Sequence, residues 1–75
     1  MKQFSLEEYL KNPNRRIITR DGRKARIICI DREVRNCKVI VALVKSKDIE
    51  DILNYSENGI CYFTADENFD LFFAL

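Results

Sequence analysis

The sequence contains no histidine. The commonest general base near neutral pH is therefore missing, and with it the imidazole metal ligand. Its three cysteines, Cys29, Cys37 and Cys61, are odd in number and lack CxxC spacing. A structural zinc site takes four Cys or His ligands at short paired spacings, which this chain cannot supply unaided. The expectation is three reduced thiols serving as small apolar side chains; a metal or redox role would have to be shared between subunits. Glycine is as scarce. Gly22 and Gly59 both fall in turn signals, so no glycine-rich phosphate loop remains. Serines 5, 46 and 56 each sit at a cap or turn, which accounts for them without a nucleophilic role. With one proline and no repeat there is no low-complexity linker. The longest apolar run, Val39–Val44, falls far short of the ~20 residues that span a bilayer. Met1-Lys2-Gln3-Phe4 leads straight into an acidic helical segment, so no secretory signal is expected and the cytoplasm is the expected location. From these absences a non-enzymatic protein without metal, cofactor or membrane partner is expected.

Positive charge is missing from one end of the chain. All thirteen Lys and Arg lie within residues 1–47, beside five acids; residues 48–75 hold the other seven acids and no base. The net charge of +1 therefore hides two portions of about +8 and −7.

What is present is a globular composition, 47% apolar and 33% charged, rather than a disordered one. A chain of 75 residues makes one domain, 1–75, and buries only about 60–65% of its unfolded surface. Its core is marginal unless a partner or second subunit adds to it. Ser5-Leu6-Glu7-Glu8 has the form of a helix start: Ser5 caps the first turn, and Glu8 is placed to reach back and complete a capping box. Leu6, Tyr9 and Leu10 form one apolar stripe, and Pro13 ends the run. Asp21-Gly22 between strand-like runs predicts a type I′ hairpin joining 15–20 to 23–30. Asp31–Asn36 reads as a charged connection. Val39–Val44 is apolar at every position, so it is expected as a central strand covered on both faces.

After a polar turn at 45–48, residues 49–55 admit two readings. Ile49, Ile52 and Leu53 have helical spacing, but Asn58-Gly59 directly after them is a strong hairpin signal, which favours a strand with 60–64 returning. Asp66-Glu67-Asn68 turns the chain again, and 69–75 alternates in part. The expected fold is α+β, mostly β: a short N-terminal helix, then an antiparallel meander of five or six strands, as a twisted sheet or a small roll or barrel.

Thr19-Arg20-Asp21-Gly22-Arg23, Ile40-Val41-Ala42-Leu43-Val44, Tyr55-Ser56-Glu57-Asn58-Gly59 and Asp70-Leu71-Phe72 carry a resemblance. In this order they are similar to segments of a family of short uncharacterised proteins encoded in gut anaerobic bacteria and their phages and prophages. These motifs are turns and core strands, so the resemblance implies a fold, a strand at 49–55 and a setting in mobile or accessory genomes. It implies no activity and no functional residue.

Two sets of residues stand out as candidate sites. Arg15, Arg16, Arg20, Arg23, Lys24 and Arg26 form a basic cluster able to track phosphates, although no aromatic is interleaved with it for base stacking. Phe69, Leu71, Phe72, Phe73 and Leu75 make a terminal strand too apolar to hang free, expected in the sheet or in an interface with another subunit. Phe63 joins these phenylalanines as expected core, and Tyr55 and Tyr62 flank the Asn58-Gly59 turn as a cross-strand pair. Carboxylate pairs such as Asp31/Glu33 and Glu50/Asp51 read as solvated acids. The leading expectation is a protein-interaction or self-associating module, with an unknown protein partner or a homo-oligomer; the alternative is nucleic-acid binding through the basic cluster.

Overall fold

The computed structural model describes residues 1–62 and 64–74. Six strands form one antiparallel sheet: β1 (Lys2–Gln3), β2 (Ile17–Thr19), β3 (Lys24–Val34), β4 (Cys37–Ser46), β5 (Ile49–Tyr55) and β6 (Leu71–Phe73). One helix, α1 (Leu6–Lys11), lies near the N-terminus, and a 3₁₀ turn at Glu67–Phe69 precedes β6. The strand order is β1-β6-β2-β3-β4-β5, so the meander runs through β2–β5 and β6 then enters between β1 and β2. The mostly β, α+β fold read from the sequence is the one observed, as an open sheet.

Helix α1 starts as its sequence dictates: the Ser5 side chain accepts from the Glu8 N–H, and Asn12 closes the last turn just before Pro13. The Glu8 carboxylate does not complete a capping box; it turns to Lys2 and Arg15. Leu6 and Tyr9 pack on the core, whereas Leu10 is exposed, because two turns of helix present only a narrow stripe.

Turn chemistry differs from expectation in an instructive way. At Asp21-Gly22 only Gly22 has positive φ, the Gly22 N–H bonds the Thr19 carbonyl, and the Thr19 N–H bonds the Arg23 carbonyl. This is a three-residue loop with its glycine in the left-handed position, not a type I′ turn. Asn58-Gly59 repeats the arrangement, with Gly59 N–H to the Ser56 carbonyl and Ser56 N–H to the Ile60 carbonyl. Among the described residues the return after it is a single bridge, Tyr55 to Cys61; residue 63 of the expected strand 60–64 lies outside them. The two-residue turn with both centres at positive φ is instead Arg35-Asn36, at φ 50° and 68°, inside the segment expected as a charged connection.

Side-chain alternation gives the sheet two unlike faces. Ile17, Ala25, Ile27, Ile40, Ala42, Val44, Leu53, Tyr55, Leu71 and Phe73 share the core side, where Phe4, Cys61, Leu6, Tyr9 and Phe69 pack on them. Val39–Val44 is buried at every position but Leu43, flanked by β3 and β5 as a doubly apolar strand should be. The buried polar groups are satisfied: the Tyr55 hydroxyl donates to the Phe69 carbonyl at 2.8 Å, and the Asp70 carboxylate accepts from the Cys61 N–H at 3.0 Å. Burial pushes both the Tyr55 phenol and the Cys61 thiol up from their ordinary values.

Candidate functional site

The two candidate sets meet each other. The guanidinium of Arg15 lies 3.9 Å from the ring centre of Phe73, that of Arg20 4.8 Å from Phe72, and that of Arg23 4.5 Å from Phe69. The pairing follows from topology, because β6 enters beside β2 and sets the C-terminal phenylalanines against the flanks of the first hairpin. Each contact contributes about 0.5–1 kcal/mol at a surface site. Acids reinforce them: Arg20 Nη2 approaches Asp70 Oδ2 at 3.8 Å while its Nε donates to the Glu67 carbonyl, and Arg23 forks onto Asp21. The Arg23 guanidinium holds the Asp21 carboxyl below its ordinary value.

Leu71, Phe72 and Phe73 are therefore not an interface awaiting another subunit. All three are buried, and β6 is paired on both edges, by β1 and β2. Phe69 is half-buried beneath Arg23. Leu75 and Phe63 lie outside the described residues. Nor does Tyr55 face Tyr62: it is fully buried opposite Cys61, while the Tyr62 N–H bonds the Asn54 carbonyl.

Four of the six basic residues do converge. Arg15, Arg16, Lys24 and Arg26 line a shallow cleft of about 310 Å³, open because β2 pairs β3 only at Ile17–Ala25 and Ile18–Lys24. Arg26 is already engaged by Glu50 through two bonds of 3.0 and 2.9 Å, which hold the Glu50 carboxyl below its ordinary value. Arg16 and Lys24 are exposed.

Sequence reasoning missed the side of the sheet away from the core. Register puts Ile18, Lys24, Arg26, Leu43, Lys45, Glu50 and Ile52 together there. Helix α1, Cys61 and Phe69 all pack on the other side. Val41 and Phe72 are buried on this side by their neighbours, Phe72 under the Arg20 guanidinium, but Ile52 stays 66% exposed. Lys24, Arg26 and Lys45 make the face basic, with Glu50 the acid among them. Alternation in β3 and β4 was the available signal, but the unbroken apolar run of β4 hid which side would remain bare.

Among the described residues, three stretches of strand edge lack a full neighbour besides residues 37–39 of β4, which run past the end of β5. That of β1 is two residues long. The outer edge of β3 beyond Ala25 is broken by two bulges, between Ile27 and Cys29 and between Cys29 and Arg32, and carries Arg26, Asp31, Arg32 and Glu33. The third belongs to β5, whose seven residues pair with β4 in unbroken register. Among the described residues its outer side is covered only at Asn54 and Tyr55, by Tyr62 and Cys61. Ile49 and Ile52 on it are 62% and 66% exposed.

No three His, Cys, Asp or Glu among the described residues are grouped as a metal ion would require, and no described helix is long and apolar enough to cross a membrane. Comparison with protein-family models, with curated proteins and with solved structures gave no match.

Proposed function

We propose that this protein is a non-enzymatic protein-interaction module that engages its partner through the β5 side of the sheet. One observation carries the reading: β5 is a seven-residue edge strand whose outer side, among the described residues, is met only at Asn54 and Tyr55, with Ile49 and Ile52 exposed on it. Small proteins blunt such edges with bulges, charges or short strands, as β1 and β3 do here, because an open edge recruits other chains. The bare basic face beside it extends the available surface. The setting implied by the resemblance, mobile or accessory genomes, is compatible with a small adaptor of this kind.

The test compares the wild-type protein with an Ile49→Lys/Ile52→Lys variant. Both side chains are largely solvated, so the variant should keep the wild-type circular dichroism spectrum. Light scattering should show self-association, or host extract should yield stoichiometric partners, for the wild type alone. A monomer that retains nothing, or retains the same proteins in both forms, removes the reading.

Nucleic-acid binding is the second reading, favoured by the cleft that gathers Arg15, Arg16, Lys24 and Arg26. Three of the six predicted cations, Arg15 of the cleft among them, are held against the rings of Phe73, Phe72 and Phe69, which leaves Tyr9 as the aromatic lining the cleft. Retardation of DNA or RNA at low salt, abolished by Arg16→Glu/Lys24→Glu, would favour this reading over the first.

A further inference from the structure

We infer that the side of the sheet away from the core docks an acidic amphipathic helix of a different protein across β3, β4 and β5; the inference rests on the interaction reading above and names the partner's chemistry. Register builds the surface. Arg26, Leu43 and Ile52 stand opposite one another in three successive strands, and Lys45 stands opposite Glu50 in the next row. Lys24 alternates onto the same side and pairs with Ile18 of β2. Ile52 is largely exposed and Leu43 and Ile18 are half-buried, so aliphatic groups alternate with the cations here.

Charge selects an acid. Lys24, Arg26 and Lys45 share a hollow of about 330 Å³ with one carboxylate, Glu50, and Arg26 bonds both of its oxygens. Lys24 and Lys45 form no ion pair among the described residues. Nor does Arg16, which joins Ile18, Lys24 and Arg26 in the adjoining cleft. This side therefore keeps uncompensated positive charge beside exposed aliphatic groups. Its complement carries carboxylates beside aliphatic groups.

The form of the occupant follows from the same surface. A strand laid flat on a sheet face leaves its own backbone groups unpaired, whereas a helix satisfies them internally and covers an apolar sheet face. From Ile18 on β2 to Ile52 on β5 is three strand spacings, about 14–15 Å, which three turns of helix span. Nucleic acid fits less well. Phe72 on this side is buried under the Arg20 guanidinium and offers no ring for base stacking, and a run of phosphates would meet Glu50 and leave Ile52 in water. An anionic bilayer meets Glu50 likewise. A second copy docked through the same face sets Lys24, Arg26 and Lys45 against their own equivalents, and like charges repel.

The experiment titrates the intact, isotope-labelled protein with a covalently stapled helix of about four turns that carries leucines at i, i+3, i+4 and i+7 with glutamates beside them. One control exchanges the glutamates for glutamines, another the leucines for serines. The glutamate helix should bind about tenfold tighter than the glutamine helix, the effect of a few exposed charge pairs, and more weakly as salt rises. The serine helix should not bind, and amide shifts should mark Lys24, Arg26, Leu43, Lys45 and Ile52. Lys24→Glu/Lys45→Glu alters two exposed side chains, so it should keep the wild-type circular dichroism spectrum and lose the preference for glutamate. Equal affinity for the glutamate and glutamine helices, undiminished binding of the serine helix, or shifts confined to the core side would overturn the inference. So would the same shifts produced by a single-stranded oligonucleotide or a phosphatidylserine vesicle while the helix has no effect, or by concentration alone with a doubled mass. If the helix does not bind while Ile49→Lys/Ile52→Lys still loses a host partner, this inference fails and the interaction reading stands. If that variant loses nothing, the reading itself fails.

Discussion

Gly22 and Gly59 have nearly the same backbone conformation, φ +88° and +81°, yet their surroundings differ. A Cβ at Gly22 would meet open space; one at Gly59 would stand 2.8 Å from the Phe4 Cβ and 3.1 Å from the Leu71 carbonyl oxygen. Gly22→Ala should therefore cost only the left-handed strain, about 1–2 kcal/mol. Gly59→Ala adds overpacking of about 1–3 kcal/mol more, because Phe4 is buried and cannot yield. Urea midpoints of the two variants check this; equal loss would mean that Phe4 moves freely. Turn residues were legible in the sequence as turns. The difference between them was not, because it depends on Phe4 and Leu71, more than fifty and about ten residues away from Gly59.

Among the elements, the β3–β4 hairpin is the longest pairing, and its tip was the one most misread. Arg35 and Asn36 occupy positions that favour Asn and Gly, and Arg35 has no special tolerance of positive φ. Arg35→Asn/Asn36→Gly should relieve that strain and raise stability by ~1 kcal/mol, or about 4–8 °C in Tm for a domain of this size. Calorimetry reads it directly; an unchanged or lower Tm would mean the tip is not under backbone strain. The segment read as a charged connection rather than strand because Asp31, Arg32, Glu33 and Arg35 are charged. It is strand because the arm reaches beyond β5 and β2, where both faces meet solvent and charged side chains are no obstacle. By contrast β5 was read correctly against its own helical spacing, since the nearby Asn58-Gly59 turn and β4's need for cover prevailed over local periodicity.

For the molecule as a whole, the fold joins the basic and acidic portions of the chain at Arg26–Glu50 and Arg20–Asp70, while other pairs form within the basic portion. Glu8 with Lys2, Asp21 with Arg23 and Glu50 with Arg26 are carboxyls held below their ordinary values by hydrogen-bonded cations. Each binds fewer protons folded than unfolded. Their contribution is complete above the ordinary values of 4.5 and 3.8 and is lost as pH falls through the lowered ones. Cys61 and Tyr55 are raised, so their contribution is complete below the ordinary 9.0 and 10.0 and fades as pH rises beyond. Unfolding midpoints from about pH 3 to about pH 10 should show a plateau with a shallow acid slope and an alkaline slope. The pairs are exposed, so 1 M salt should flatten the acid slope further. Persistence of the alkaline slope in Cys61→Ala/Tyr55→Phe would assign it to other groups.

The sequence by itself determined β2, β5, β6, the central parts of β3 and β4, the capped helix, the two glycine turns and the doubly apolar run of β4, because each depends on residues within a turn or a strand of one another; β1 and the outer arm of β3 were not legible in it. It also fixed the imbalance of charge along the chain. Only the tertiary structure decided where that imbalance went. By entering between β1 and β2, β6 placed its phenylalanines beneath Arg15 and Arg20 while Phe69 met Arg23, and turned two candidate sites into one packed seam. The same topology left β5 at the rim, and which strand ends at an edge depends on pairings between distant segments that local pattern does not encode.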